Sequence, residues 1–304
     1  MRIISIIVKY FWVVMLAGLV AGLLWPVYSQ SLMPLLEPVL IFLLFLVFLK
    51  TDFLEILSGI SNFRLMAYIS VMFLIVMPVG VFYMAKPFDP QLAAGFLLLT
   101  AMPSGTATPA LTDLMKGNVG LSMSVAIITS LLAPVTVPLL MWVCLGAEVE
   151  LNPFDLFRKL GFLVCLPLVM AAVVKRISPA LITKTKPWYS FVNVVIFGVF
   201  VYATVGSQQA AILKNPLDLV GQVVALYILF GFLHLAGYLM GWKLAPRDRL
   251  TITISRAYMN NGMAIVLAAR FFDPAVLILM ILSEFPWNTF PLLLQKIALR
   301  NKWI

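Results

Sequence analysis

The stretch MPSGTATP, residues 102–109, interrupts an apolar run in the first half of the chain, and YMNNG, residues 258–262, interrupts another in the second half. Pro103 and Pro109 have no amide hydrogen, so each leaves a carbonyl without its helical partner. Gly105 and Gly262 are glycines with wide conformational freedom, and Asn and Gly both tolerate left-handed backbone. Each stretch therefore predicts a break in a helix.

The composition around these stretches is that of a membrane protein. The chain has 304 residues, of which 63% are hydrophobic and 11% charged, with a mean hydropathy of +1.06. A spanning helix needs about 20 apolar residues to cross about 30 Å of hydrocarbon, so there is room for about ten. The net charge of +9 fits basic residues at cytoplasmic helix ends better than a nucleic-acid partner.

Apolar stretches between polar joints predict an all-α integral membrane protein with ten transmembrane helices. The predicted spans lie near residues 8–28, 33–50, 64–85, 90–115, 119–145, 157–175, 189–210, 219–241, 250–272 and 274–297.

Lysine and arginine positions predict the orientation. A cytoplasmic N-terminus places most basic residues on the inner face, among them Arg2, Lys9, Lys175 and Arg176. We therefore expect a multi-pass plasma (inner) membrane protein with both termini in the cytoplasm and a retained first helix.

The spans pair at a nearly constant offset, first with sixth through fifth with tenth. Pro134 and Pro138 in the fifth span are echoed by Pro286 and Pro291 in the tenth. Five helices per half would run in opposite directions, so we predict two inverted five-helix repeats, residues 1–148 and 149–304.

The two breaks fall in corresponding spans, the fourth and the ninth. Paired broken helices are the best sequence indication of a transport site near the bilayer midplane, because half-helix ends offer partial charges to a solute. The competing interpretation is that both are ordinary kinks relieved by packing.

Several motifs resemble the bile acid:sodium symporter family. They are PSGTAT at 103–108, KGNVGLS at 116–122 and LLAP at 131–134, with support from KTDF at 50–53, VMP at 76–78 and NNGMA at 260–264. The resemblance implies a panel domain of helices 1, 2, 6 and 7 and a core domain of helices 3–5 and 8–10. It also implies that broken helices 4 and 9 cross in the core and that an anionic solute binds between the domains.

This sequence departs from the family where sodium is bound. Aligned without gaps, five family oxygen ligands fall on Ser255, Met259, Phe73, Pro109 and Ala126. The loss includes a carboxylate, replaced by the Ser255 hydroxyl. Thr108 and Ser122 keep oxygens as residual ion-site positions, so the resemblance implies that family-type sodium coupling is lost.

Arg256 lies beside the missing carboxylate. A guanidinium keeps its charge, and burying it costs about 2.5–3.5 kcal/mol on insertion scales, so it needs a partner. One interpretation is that it snorkels to the cytoplasmic surface. The other is that it clamps an anionic substrate or does the structural work of the absent sodium.

Glu284 lies near the middle of the tenth span. A lone buried carboxyl is protonated or paired, because burial penalises the charged form. It could form a charge pair with Arg256, carry a coupling proton, or bind a kink carbonyl in its protonated form.

These features favour a secondary active transporter of a small organic anion that works by alternating access, with lipid and that anion as its partners. The alternatives are a sodium-coupled organic anion symporter and a non-transporting membrane sensor or complex component. No nucleotide-binding, metal-ligand or catalytic-triad motif stands out, so we expect neither an enzyme nor a cofactor, and leave sodium and a proton open as coupling ions. The predicted substrate-binding residues are Thr106, Thr108, Ser255, Arg256, Asn260 and Asn261.

Overall fold

The computed structural model describes residues 11–50, 63–146, 152–214 and 216–300. Every regular element in these ranges is a helix, which confirms the all-helical prediction. The basic residues Arg2 and Lys9, most of the KTDF motif and the predicted repeat boundary at 148/149 lie outside the described ranges.

The helices, numbered along the chain, are α1 (Phe11–Leu24), α2 (Ser29–Leu32), α3 (Leu36–Lys50), α4 (Phe63–Val71), α5 (Met77–Ala85), α6 (Pro90–Ala101), α7 (Thr108–Leu114), α8 (Val119–Leu145), α9 (Pro153–Ile177), α10 (Pro179–Ser207), α11 (Gln209–Lys214), α12 (Pro216–Met240), α13 (Pro246–Ala257), α14 (Asn261–Phe271), α15 (Pro274–Leu282) and α16 (Glu284–Arg300). A 3₁₀ turn, Met33–Leu35, joins α2 to α3, and a π-helical turn, Met72–Val76, joins α4 to α5.

Several helical segments are long and apolar enough to cross a membrane. Among the described residues, five helical segments meet that standard alone. A sixth candidate is a pair of segments, Pro179–Tyr189 and Phe191–Ser207, with a bend of 55° between them. Shorter apolar helices, Pro90–Ala101 and Asn261–Phe271, lie beside the two breaks. The ten-span count and the inverted repeats stay predictions.

The structure differs from the predicted spans at two places. α10 begins at Pro179, although residues 176–188 were expected to be a polar joint. Lys and Thr are compatible with a helix, so a polar stretch does not by itself end one. The predicted tenth span is interrupted at Ser283, between α15 and α16, whereas α8 runs unbroken past Pro134 and Pro138.

The chain divides into two compact units. Unit 1 comprises the described parts of Met1–Asp52 and Gly161–Leu219, and unit 2 comprises those of Phe53–Leu160 and Val220–Ile304. Helices α1, α3 and α10 therefore belong to unit 1, and both breaks belong to unit 2.

Unit 1 is built on close packing of α1 against α10. A Cβ added to Gly22 would lie 2.9 Å from the Tyr202 carbonyl oxygen and 3.0 Å from the Gly206 nitrogen. The hydroxyl of Tyr202 donates to the Trp25 carbonyl across 2.9 Å. Small residues that let two backbones approach are the usual packing device of membrane helices.

We expect Gly22→Ala to lower the thermal unfolding midpoint of the purified protein, because its methyl group would collide with backbone rather than with a movable side chain. Overpacking of this kind costs about 1–3 kcal/mol. Gly161→Ala is the matched control: it has no atom within 4 Å of the added Cβ and should leave stability unchanged or raise it. Equal effects of the two substitutions would contradict this packing.

In unit 2 the two breaks pair with each other through their backbones. The Gly105 amide donates to the Tyr258 carbonyl across 2.8 Å, and the Asn260 amide donates to the Pro103 carbonyl across 2.9 Å. These bonds form an antiparallel bridge between Ser104 and Met259. Non-helical backbone in a membrane interior persists only where protein or water satisfies it, and here each break satisfies the other.

Gly105→Ala should destabilise unit 2, because the added Cβ would lie 2.7 Å from the Tyr258 oxygen and 2.8 Å from the Met259 oxygen. We expect a loss of about 1–3 kcal/mol, measured as a lower unfolding midpoint in detergent. Gly80→Ala in the same unit meets nothing within 4 Å and serves as the control. A Gly105→Ala protein as stable as the Gly80→Ala protein would exclude the bridge.

Candidate functional site

The first break lies between α6 and α7. After Ala101 the chain turns extended at Met102, with φ −64° and ψ 145°, and helix resumes at Thr108 with Pro109 in its first turn. The Thr108 hydroxyl donates to the Gly105 carbonyl across 2.7 Å. The break is therefore held partly by its own side chains, and the hydroxyl hydrogen of Thr108 is already used.

A second hydroxyl supports the same segment from α8. The Ser104 amide donates to Thr129 Oγ1 across 3.2 Å, and Ser104 Oγ lies 3.2 Å from Thr108 Oγ1. Thr106 is partly buried, the least enclosed of the polar side chains in this break.

The second break lies between α13 and α14. The expectation that Asn and Gly unwind it through left-handed backbone is wrong, because Asn260 has φ −77° and neither Asn261 nor Gly262 has a positive φ. Asn260 instead acts as the N-cap of α14, and its Oδ1 accepts from the Met263 amide across 3.1 Å. An N-cap satisfies a free amide of the first helical turn, which is why Asn is favoured there.

Arg256 lies in the last turn of α13 and is only 1% exposed, so it does not snorkel to the surface. Its Nη1 donates to the Thr100 carbonyl across 3.2 Å, at the C-terminal end of α6. A cation is favourable there because a helix C-terminus carries partial negative charge. Arg256 thus links one half-helix of the first break to one of the second.

The guanidinium of Arg256 also lies over an aromatic ring. Its central carbon is 5.5 Å from the centroid of Phe73, which is within the usual range for a cation–π contact. Phe73 belongs to the π-helical turn before Pro78, and such turns often occur at functional sites.

Several buried polar atoms near the breaks have no hydrogen-bond partner among the described residues. They include Nε and Nη2 of Arg256, Oγ of Ser255 and Nδ2 of Asn260. Buried polar groups are nearly always paired in folded proteins, so this concentration at two helix breaks indicates a place where a ligand could bind.

Glu284 is the first residue of α16 and is 2% exposed. Its Oε1 accepts from Asn261 Nδ2 and its Oε2 accepts from Asn288 Nδ2, each across 3.2 Å. The structure therefore brings Glu284 to the second break through Asn261. It does not join Glu284 to Arg256, whose contacts are with Thr100 and Phe73, and the predicted charge pair between these two described residues is not formed in this conformation.

Sequence reasoning missed several residues that hold the second break. Trp287 Nε1 donates to the Met259 carbonyl across 3.3 Å, and His234 Nε2 lies 3.0 Å from the Tyr258 hydroxyl. Asn288 could have been found, because it lies one helical turn beyond Glu284 on the same face. Thr100 contributes a backbone carbonyl, for which a sequence carries no signal.

Comparison with known proteins gives a family match over more than half of the chain. The model described as "Sodium Bile acid symporter family" matches residues 37–215. The matched segment contains the first break and ends before the second.

Individual relatives agree with the family model. The chain is 30% identical over 190 residues to the uncharacterized sodium-dependent transporter YocS of Bacillus subtilis, covering 60% of this chain and 57% of that protein. It is 27% identical over 205 residues to the probable chloroplastic sodium/metabolite cotransporter BASS1 of Oryza sativa subsp. japonica, covering 65% of this chain and 49% of that protein. The chain thus matches about half the length of these curated relatives.

Several of the described helices are long and apolar enough for a multi-pass membrane protein, which agrees with this match. The family consists of transporters rather than enzymes, so the expectation of a non-enzyme is confirmed at the level of the family. Because the family model covers more than half of the chain and includes the first break, this protein belongs to the sodium bile acid symporter family.

Proposed function

We propose that this protein is a secondary transporter that carries a small organic anion across the inner membrane by alternating access. Family membership supports a transporter, and the two relatives are named a sodium-dependent transporter and a probable sodium/metabolite cotransporter. The main evidence for an anionic substrate is the Arg256 guanidinium. It is buried beside the two breaks, and part of its hydrogen-bonding capacity is unused.

The unused part of Arg256 has a specific shape. Nη1 is occupied by the Thr100 carbonyl, whereas Nε and Nη2 have no partner among the described residues. Nε and Nη2 form one edge of the guanidinium, with two parallel N–H bonds. A carboxylate accepts from two parallel N–H donors in a bidentate pair, and this geometry makes Arg the preferred residue for binding carboxylates.

Neutral side chains near Arg256 complete the proposed site. Ser255 Oγ and Asn260 Nδ2 are buried, bond to no described residue, and could bind the remaining polar atoms of a solute. Thr106 and Thr108 from the first break and Asn261 from the second complete the set of substrate-binding residues in our proposal. Unwound backbone at half-helix ends is the usual place for such a site in transporters.

We also propose that the family-type sodium positions do not bind sodium here. Phe73 and Met259 are buried side chains without oxygen at two of those positions, and the Phe73 ring lies against the Arg256 cation. A second cation in this place would meet an existing positive charge. Thr108, Ser122 and Ser255 would supply only neutral hydroxyl oxygens, and no carboxylate remains at these positions.

The division of the chain supports alternating access. Unit 1 contains α1, α3 and α10, and unit 2 contains the two breaks with α4 to α8 and α13 to α16. This grouping is the one that the family resemblance implies for a panel and a core. Our proposal places the solute site in the core, with both termini in the cytoplasm.

One observation favours a second candidate, a non-transporting membrane protein of the same fold. Arg256 and Glu284 are 1% and 2% exposed, so protein encloses both side chains in this conformation. A transporter must open this region to water in part of its cycle, whereas a structural or sensory protein need not.

We expect Arg256→Gln to reduce anion flux at least tenfold, because the variant cannot form a bidentate pair with a carboxylate. Loss of a buried charge-paired hydrogen bond typically costs about 2–5 kcal/mol of binding, which corresponds to about 30-fold or more. The measurement is uptake of a panel of radiolabelled mono- and dicarboxylates into proteoliposomes, each compared with empty liposomes. Asn260→Ala should reduce flux of the same solute.

Arg270→Gln is the matched control, since Arg270 is an exposed cation at the end of α14 and its loss should leave flux unchanged. Unchanged flux in both Arg256→Gln and Asn260→Ala would exclude the proposed site. If the wild-type protein moves none of the carboxylates, the non-transporting candidate is favoured.

A further inference from the structure

A second group of buried polar side chains lies where α14 meets the junction of α15 and α16. Ser283 separates α15 from α16, Glu284 begins α16, and Asn261 begins α14. Asn261 Nδ2 lies 3.0 Å from Ser283 Oγ and 3.2 Å from Glu284 Oε1, and Asn288 Nδ2 lies 3.2 Å from Glu284 Oε2. We call these four residues the Glu284 cluster.

Within the described part of the chain, the carboxyl of this cluster has no positive partner. Glu284 is 2% exposed, and its side-chain contacts are to the neutral carboxamides of Asn261 and Asn288. A buried carboxylate without a counter-charge is strongly disfavoured unless it is protonated or binds a cation.

The carboxamides of the cluster supply a second, independent observation. Asn261 Oδ1 and Asn288 Oδ1 are buried, and neither accepts a hydrogen bond from a described residue. The side chains themselves are 3% and 6% exposed. Two buried acceptor oxygens without donors, beside one carboxyl, favour a ligand that is attracted to oxygens.

Rotation of the Asn261 carboxamide would direct its oxygen toward the carboxyl, whereas Asn288 Nδ2 also donates to the Glu284 backbone carbonyl across 2.7 Å and keeps its orientation. A half-turn of the amide group exchanges Nδ2 and Oδ1 with little change in shape. After rotation the Asn261 oxygen would lie about where Nδ2 now lies, near both Ser283 Oγ and Glu284 Oε1. The cluster would then present two carboxylate oxygens, one amide oxygen and one hydroxyl oxygen, while Asn288 Nδ2 holds the carboxylate in place. Oxygens of these types are the ligands that hard cations prefer.

We infer that the Glu284 cluster binds a monovalent cation of the size of sodium, at a position different from the family-type sites. A single carboxylate with neutral oxygens suits a single positive charge, because the site then has no net charge to bury. Ser255 stands where the family has a carboxylate in the second break. Glu284 places another carboxylate beside that break, through its contact with Asn261.

The role of this cation in coupling rests on the proposed function. Without the cation, the carboxylate would repel an anion bound at the second break, and with it the charge is cancelled. Asn261 belongs to both groups, since we assign it to the solute site and it contacts Glu284. Binding of the cation can be measured without any solute.

The test is a sodium titration of the full chain in detergent, followed by the thermal unfolding midpoint. Potassium replaces sodium so that ionic strength stays constant. A ligand that binds only the folded state raises the midpoint with its concentration, so the wild-type protein should show a saturable rise with sodium over potassium. Glu284→Gln should abolish this rise, and Asn288→Ala should weaken the apparent sodium affinity about tenfold.

Two control variants distinguish sodium binding at the Glu284 cluster from sodium binding elsewhere in unit 2. Asp113→Asn removes a carboxylate of the same unit that lies outside the cluster, and it should leave the sodium response intact. Ser122→Ala removes a residual family-type oxygen and should do the same. If Glu284→Gln fails to fold, Asn288→Ala and Ser283→Ala provide the test in the same titration.

The inference is overturned if the wild-type protein shows no sodium-specific rise, if the rise persists in Glu284→Gln, or if Ser122→Ala abolishes it. It is also overturned if acidification alone stabilises the protein and sodium does not, since the cluster would then bind a proton. A sodium response without carboxylate flux would leave the cation site standing and would count against the proposed transport function.

Discussion

The structure of unit 2 depends on the backbone pairing of its two breaks. Each break exposes amides and carbonyls that a membrane interior cannot solvate, and each such group would cost several kcal/mol if left alone. Gly105 with Tyr258 and Asn260 with Pro103 remove that cost by bonding the breaks to each other. Each break therefore relies on the other for two backbone hydrogen bonds, and only a residue without a Cβ fits at position 105. The pairing also fixes the position of Arg256, which lies just before the bridge in the chain.

The same geometry explains why a positive charge is favourable at Arg256. α6 ends at the first break, and its last carbonyls carry partial negative charge in a buried region. Arg256 meets that charge at the Thr100 carbonyl, and the π-helical turn at Phe73 covers the guanidinium. A cation fixed to the chain cannot leave during a cycle of conformations. In our proposal, any exchangeable charge that drives transport must therefore bind elsewhere, and Glu284 is a buried carboxyl in reach of the same break.

The sequence predicted the helical class and both breaks, because hydropathy and the positions of proline and glycine report local properties of the chain. The structure confirms helix ends at Ala101 and Ala257. The contacts that define the site were not predictable in the same way. Thr100 acts through its backbone and Phe73 through a ring, and neither residue type signals a role. The start of α10 at Pro179 was missed because Lys184 and Lys186 resemble a joint although both are compatible with a helix.

The two double-proline segments contribute different groups to the proposed site. α8 stays continuous, and its hydroxyls are used locally: Thr129 bonds the Val125 carbonyl and supports Ser104. The segment paired with it by sequence is interrupted at Ser283, and its side chains reach across to the second break. The first half of the chain thus supplies neutral backbone and hydroxyl groups to the site. The second half supplies its charges, Arg256 and Glu284. In our proposal a change of coupling ion therefore involves both halves, because Phe73, Pro109 and Ala126, three of the five substituted ligand positions, lie in the first half.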